Sequence, residues 1–536
     1  MDKEFSWPLE AIVYHIYVRS FKDTNNDGIG DLAGLIEKID YLHTSLCVNA
    51  LWLSPIYSSP QKDFGYDIAD YTNIDPMYGS LNDFDQLVHI LHKRDIKILM
   101  DYVPNHTSSK HTWFLESRSS KNNPKRNWYV WKDPKPDGSP PNNWLSFFGG
   151  SAWKLDEKTN QYYLHSFDVD QPDLNWRNPD VVKAMHQVLR FWLNRGVDGF
   201  RVDAVYCLFK DEDFRDEPIN PTYVVGAHDP YEMLYHPYTF ALPETIDMIK
   251  QFADILKEYK NKFMVTEAYL PVKELIKLYT TVSWKWFVPF NFSLLTVPWK
   301  AEDHKIFIDE FDATIGEVYI PSYVSGNHDR SRMVTRVGQK QARIAAMLML
   351  TLRGMPFIYY GDEIGMKDSD IPKEYIQDPF EKNVPGLKLG RDPQRTPMQW
   401  DNSFHAGFTK GNPWLPVNRE YKMYNVKREE KDPHSMLSLY KKLIILRKKY
   451  NALRFGTYVP LPHPTQNVLA FMRNYKDKEK LLILLNFSPE VKKISLDIQK
   501  ARVVAHSSLI AQEGTVINLK NLTLQPDEGY IFSLDV

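Results

Sequence analysis

The sequence predicts an α/β chain: a TIM-type (β/α)8 barrel with a small domain inserted after its third strand and a C-terminal antiparallel β-domain. Three observations carry that expectation. Short β-rich runs alternate with amphipathic helical patterns over the first two-thirds of the chain, as in a parallel sheet built from βα units. Residues 105–175, rich in Asn, Pro, Trp and Gly, are too long for an ordinary βα loop. The last part of the chain switches to short alternating runs with no helical period.

The runs that read as strands are 11–21 (AIVYHIYVRSF), 49–56 (NALWLSPI), 97–103 (KILMDYV), 198–205 (DGFRVDAV), 263–270 (FMVTEAYL), 286–292 (WFVPFNF), 323–329 (YVSGNHD) and 357–365 (FIYYGDEIG). Eight such runs fit a closed barrel. Between them lie helical patterns such as LAGLIEKIDYLHTSL, LNDFDQLVHILHKR, VVKAMHQVLRFWLNRG and QARIAAMLMLTLRG, two of which end at a glycine stop. The insertion follows the third strand and is expected to sit over the barrel mouth. After the helical pattern LSLYKKLIILRKKY come VLAFMRNY and KLLILLNF, which read as antiparallel strands. The domains are therefore expected at 1–104 and 176–453 for the barrel, 105–175 for the insertion and 454–536 for a C-terminal β-sandwich.

Bulk properties exclude several functions. A net charge of −2 from 66 basic and 68 acidic residues, with no long single-sign run, argues against nucleic acid or anionic lipid as partner. The opening MDKEFSWPLE lacks the basic start and apolar run of a leader, and no later stretch reaches membrane-spanning length, so a cytoplasmic location is expected. The two cysteines, Cys47 and Cys207, read as reduced thiols with no metal or redox spacing. Monomer and homodimer both remain open. Aromatic residues at 14% include 14 Trp and 31 Tyr, the side chains that stack on the apolar faces of sugars and also fill cores.

Active sites of such barrels are built at the C-terminal ends of the strands. Polar residues interrupt apolar runs there: Asp67 in FGYDI, Asp101, Asn105 and His106 in DYVPNHTS, Arg201 and Asp203 in GFRVDAV, Glu267 in VTEAYL, and His328 and Asp329 in SGNHD. Any one of them alone reads better as a structural ion pair or cap; their common location points to chemistry. Arg201 and Asp203, two apart, share one strand face. The guanidinium is expected to lower the Asp203 pKa and keep it a nucleophilic anion, while burial raises Glu267 into a proton donor. Carboxyls about 5–5.5 Å apart give retention through a covalent intermediate, whereas ~6.5–9.5 Å gives inversion.

The segments DYVPNH, GFRVDAV, VTEA and SGNHD, with QPDLNW ahead of the second, resemble the ordered regions of the α-amylase superfamily, glycoside hydrolase family 13. GIGDLAGL, NNWLSFFGGSAW and RTPMQWD, followed by PWLPVN, resemble its α-glucosidase, maltase and oligo-1,6-glucosidase branch. The resemblance implies Asp203 as nucleophile, Glu267 as acid/base and Asp329 as transition-state stabiliser. It places Asp67, His106, Arg201 and His328 around the first glucose, with Phe148, Phe167 and Gln171 lining the sugar sites. It also implies that Asp67 and Arg395 together clamp the non-reducing end of a small oligosaccharide or disaccharide. A small residue after the nucleophile, Ala204, goes with α-1,4 linkages in similar enzymes, so maltose-like substrates are expected, with sucrose a further candidate. NHDRSR departs from the usual NHDQPR or NHDNPR and sets Arg330 beside Asp329.

The run DTNNDGIGD offers oxygen ligands at alternating positions, Asp23, Asn25, Asp27 and Asp31. Gly34 stands where an EF-hand needs its bidentate Glu, so that motif is excluded. Spacing alone fits either a structural cation or a solvated acidic turn. The resemblance implies structural Ca2+, or Mg2+, with the Ile29 carbonyl as a further ligand. Two other readings compete with hydrolysis: a transglycosylating or isomerising relative such as a trehalose synthase, and a non-catalytic transporter heavy-chain-like subunit, which is expected to show a membrane-spanning stretch and often to lose the three carboxylates, whereas no stretch here reads as one and the carboxylates are kept.

Overall fold

The computed structural model describes residues 7–534; the first six residues of the opening read above, and the last two residues of the 454–536 segment, lie outside the described residues. The barrel strands are β1 (Val13–Ile16), β2 (Ala50–Leu53), β3 (Lys97–Tyr102), β4 (Gly199–Val202), β5 (Phe263–Thr266), β6 (Phe287–Pro289), β7 (Ser322–Val324) and β8 (Met355–Tyr359). They pair in parallel in the order β6-β5-β4-β3-β2-β1-β8-β7. A parallel bridge between Asn291 and Tyr323 joins the two outer strands and closes the barrel. Every residue of β1, β2, β4 and β5 is buried, as expected for a sheet covered on both faces.

The strands are shorter than the apolar runs that predicted them. β1 stops at Ile16 and gives way to a 3₁₀ turn, and β4 stops at Val202. Each run continued past the sheet because the residues at the strand ends stay buried under the loops of the barrel mouth. The pattern LAGLIEKIDYLHTSL likewise splits into a helix at Leu32–Glu37 and a π-helical turn at Tyr41–Ser45, broken at Lys38. Other helices follow their patterns closely. Ser80 and Asp83 form a reciprocal capping box at the start of Leu81–Lys93. Asn178 caps Pro179–Asn194, and Val181, Met185, Val188, Leu189 and Trp192 bury one face of that helix against the barrel.

Between β3 and β4 the chain forms a three-stranded antiparallel sheet from Trp131–Lys132, Trp153–Asp156 and Gln161–Leu164, around a separate small core of Trp144, Ala152, Trp153, Tyr162 and Leu164. Beyond the helices Met436–Lys449 and Asn451–Phe455, a six-stranded antiparallel sheet runs from Thr457 to Ser533 and is joined by a two-stranded ribbon. Buried Arg473 ties this sheet to the barrel by donating to the Thr351 carbonyl at 2.5 Å. Among the described residues no helix is long and apolar enough to cross a membrane.

Candidate active site

Arg201 is the hub of the barrel mouth. It lies on β4, 1% exposed, and donates from Nη1 to Asp203 Oδ1 (2.6 Å) and Asp101 Oδ1 (2.7 Å), and from Nη2 to Glu267 Oε2 (2.8 Å). Glu267 Oε2 also accepts from the Ala204 N–H at 3.2 Å. Ala204 can present that N–H because it sits in the left-handed region, at φ 41° and ψ 34°. The side chains of Asp203, Glu267 and Asp329 are 10%, 14% and 23% exposed, so all three open onto one recess.

The electrostatics differ from the expectation in one respect. Burial, reinforced by Glu267, Asp101 and Asp329, pushes the Asp203 carboxyl up, against the pull of Arg201. The expected lowering by Arg201 is thus outweighed, because one guanidinium serves three carboxylates. Burial also lifts Asp101 to about 6. Asp329 goes the other way: burial alone would raise it, but the Arg395 and Arg391 guanidiniums hold it well below the usual range. Arg395 Nη2 donates to Asp329 Oδ1 at 2.8 Å, and Arg395 Nε to the His328 carbonyl at 2.8 Å. Burial keeps His328 and His106 neutral, the latter down at about 4. The aromatic wall beside His328 is Tyr66, stacked 5.4 Å from it, with Tyr66 Oη 2.8 Å from His328 Nε2.

His106 and Gln171 meet at 3.1 Å, with the Phe167 ring 5.3 Å from His106 and 5.9 Å from Phe148. Asp67 is not part of this wall. Its carboxylate accepts from Ser59 Oγ (2.9 Å), Lys62 N (2.9 Å) and Asp63 N (3.0 Å), all within its own loop, and burial lifts it to about 7. The acid that faces the site is Asp63, which accepts from Gln171 Nε2 (3.1 Å) and from Arg391 Nη2 (2.7 Å). The expected Asp67–Arg395 pair is therefore not formed: Asp63 pairs with Arg391, and Arg395 with Asp329. Asp63, Tyr66 and Arg391 were missed in the sequence; the signal was present, since Asp63 and Arg391 each stand four residues before the residue chosen. The Arg330 guanidinium lies 5.2 Å from the Tyr269 ring and close enough to Asp329 and Glu267 to feel their charge.

The Asp23–Asp31 loop lies apart from this recess. Asp23 accepts from Asn26 N (2.7 Å) and Gly28 N (2.8 Å), and Asp27 from Ile29 N (2.8 Å) and Asn25 Nδ2 (3.0 Å). Asp31 is committed to capping Gly34 N (2.6 Å) and to Thr24. Gly28 takes φ +90° against the Asn412 carbonyl, where a side chain would collide. Asp23 Oδ1 and both Asp27 oxygens each accept one bond and keep a lone pair, as does Asn25 Oδ1; Asp31, which meets three donor hydrogens from Gly34 N, Thr24 N and the Thr24 hydroxyl, also keeps one. The fit to a cation is therefore partial, and among the described residues no three acid, imidazole or thiol groups converge as a metal cluster.

Residues 15–456 match the α-amylase catalytic-domain model. The chain is 41% identical to an α-glucosidase of Apis mellifera, over 91% of this chain and 86% of that one. It is 40% identical to an oligo-1,6-glucosidase of Heyndrickxia coagulans, over 90% and 92%. Among solved structures it resembles an α-glucosyl transfer enzyme with a TM-score of 0.90 and 37% identity, over 98% and 99%.

Proposed function

This chain belongs to the α-amylase catalytic-domain family and is a glycoside hydrolase, and from that premise we propose a retaining, exo-acting α-glucosidase that releases terminal α-1,4-linked glucose from maltose and short malto-oligosaccharides. The observation that carries the reading is the single Arg201 guanidinium shared by Asp203 and Glu267. Two carboxylates bound to the two ends of one planar group stand close together, which favours the short separation of a covalent mechanism. In the first step an Asp203 oxygen attacks the anomeric carbon as Glu267 passes its proton to the departing glycosidic oxygen. In the second, Glu267 takes a proton from water, and the oxygen of that water displaces Asp203 from the sugar on the original face.

Asp329 is held ionised by Arg395 and Arg391, so its charge is available to hydrogen-bond sugar hydroxyls as the ring becomes oxocarbenium-like. Asp63 and Arg391 seal the far end of the recess, which limits it to the last glucose of a chain. A substrate panel of maltose, isomaltose, sucrose, trehalose and starch, with proton NMR of the first product, tests this. The expected result is α-glucose from maltose; initial β-glucose, or no cleavage of any α-glucoside, overturns it.

A second reading, glucosyl transfer to a sugar in place of water, is favoured by the likeness to an α-glucosyl transfer enzyme. It uses the same first step and is separated by finding new disaccharides among the products. We also propose a structural Ca2+ or Mg2+ at the Asp23–Asp31 loop, resting on the oxygens of Asp23, Asn25, Asp27 and Asp31 with the Ile29 carbonyl. A cytoplasmic location is proposed from Cys47 and Cys207, which are both free thiols.

A further inference from the structure

Arg391 meets three carboxylates, two of which share its Nη2. Asp378 holds the Nε side: its carboxylate accepts from Nε at 3.1 and 3.2 Å, from Nη2 at 2.7 Å and from the Arg391 backbone N–H at 2.5 Å. The second hydrogen of Nη2 reaches Asp63 Oδ1 at 2.7 Å, and Nη1 stands 3.5 Å from Asp329 Oδ1. The face of the group lies 4.7 Å from the Phe148 ring. A guanidinium is planar and rigid, so fixing one edge fixes the direction of the other.

Asp378 is itself 0% exposed and well anchored. It caps Pro379–Asn383 through Phe380 N, and its own N–H donates to Asp392 Oδ2 at 2.9 Å. Phe380 stacks on Phe148 at 5.5 Å, which docks the whole segment on the inserted domain. Burial would raise the Asp378 carboxyl, but Arg391 outweighs it and keeps it an anion.

We infer that Asp378 is a positioning residue for the sugar pocket, orienting Arg391 so that Arg391 and Asp63 together hold the terminal glucose. The inference rests on the α-glucosidase reading above, in which Asp63 and Arg391 bind that glucose. Asp329 has its closer partner in Arg395, so the loss of Asp378 falls on substrate binding more than on the chemical step. Contacts made equally in the ground and transition states appear in KM rather than kcat.

The test is steady-state kinetics on 4-nitrophenyl α-glucoside for the parent, Asp378→Asn, Arg391→Ala and the double variant, with a thermal melt for each. In Asp378→Asn, KM is expected to rise roughly tenfold or more while kcat changes by less than about threefold. The double variant should have a KM no higher than Arg391→Ala alone, because Asp378 acts only through Arg391. A purely structural role would lower the active fraction, so that kcat falls at constant KM; that outcome, or additive effects on KM, overturns the inference. If Asp378→Asn does not fold, Asp378→Glu is measured in the same design, since it keeps the charge but displaces the guanidinium by one methylene. Failure of the parent to cleave the glucoside would count against the α-glucosidase reading, whereas a normal parent with an unmoved KM in the variants counts against Asp378 alone.

Discussion

Arg201 donates to Asp203 at 2.6 Å from within the same short strand-end segment, yet the Asp203 carboxyl stays raised. Burial is the main cause, and Asp101 and Glu267, which draw on the same guanidinium, add to it by repulsion. Replacing Asp203 by Asn should abolish cleavage, by a factor on the order of 10³ or more, with the fold retained. Hydrolysis of an α-glucoside near the parent rate would remove Asp203 from its role.

The raised pKa also has a sign that can be checked. A carboxyl raised in the folded state adds stability that is fully present below its unfolded pKa and is lost as pH rises through the folded value. The buried anion is thus a cost at neutral pH. Asp203→Asn should gain melting temperature over the parent at pH 8, and gain less or nothing at pH 4. For activity, protonation of Asp203 removes the nucleophile, so the acid limb of kcat/KM should lie above the ordinary Asp value of about 3.9. A limb at or below that value would mean that Arg201 dominates after all.

Asp63 and Asp67 separate binding from folding. Asp67 satisfies the 59–67 loop, and its replacement by Asn leaves buried donors short of acceptors, costing about 1–3 kcal/mol. Thermal melts should therefore fall for Asp67→Asn with KM nearly unchanged. Asp63→Asn should do the reverse, raising KM while the melt moves little. Equal effects of the two variants on KM would return Asp67 to the pocket.

The way those two acids were confused indicates how far the sequence could be read. Strand-end position located Arg201, Asp203, Glu267 and Asp329: Arg201 lies within β4 and the other three follow the ends of β4, β5 and β7, where such barrels place their sites. Asp63 and Asp67 lie on an irregular loop, where no period tells which of two nearby carboxylates turns inward. The same holds for Arg391 and Arg395, around the 3₁₀ turn Asp392–Gln394. Barrel, insertion and C-terminal sheet were legible from alternation and composition. The sharing of one guanidinium among three acids was not, since it depends on three strands meeting in space.

Removing a divalent cation from the Asp23–Asp31 loop should lower the melting temperature and spare the chemistry, because the loop is distant from Arg201 in the fold's connectivity and precedes the first barrel helix. Dialysis against a chelator, followed by melts with Ca2+ or Mg2+ restored and by elemental analysis, measures this. Binding at a few hundred times the dissociation constant adds about 3 kcal/mol to the folded state. A melt indifferent to chelator, with no metal found, would leave the loop as the hydrogen-bonded acidic turn its own N–H groups can sustain.

Linkage preference is expected to turn on Ala204, which directly follows the nucleophile and whose left-handed backbone points its N–H at Glu267. An α-1,6 bond adds a methylene and a rotatable bond, so the second sugar leaves the scissile bond along a different path from that in maltose. A small side chain leaves the α-1,4 path open. One methylene of mispacking is worth roughly 1–3 kcal/mol, or about 10–200-fold in kcat/KM. The parent should therefore prefer maltose to isomaltose, and Ala204→Val should shift the ratio toward isomaltose. The backbone adds a second consequence: a β-branched residue at φ 41° is strained by about 1–3 kcal/mol, and relief of that strain loosens the N–H bond to Glu267. Ala204→Val should thus lose kcat on both sugars, whereas Ala204→Gly, which fits that conformation freely, should keep kcat and the parental ratio. A parent that already prefers isomaltose, with a ratio unmoved by Val, would acquit this position; Arg330, poised over Tyr269 two residues beyond Glu267, would then be the side chain to change.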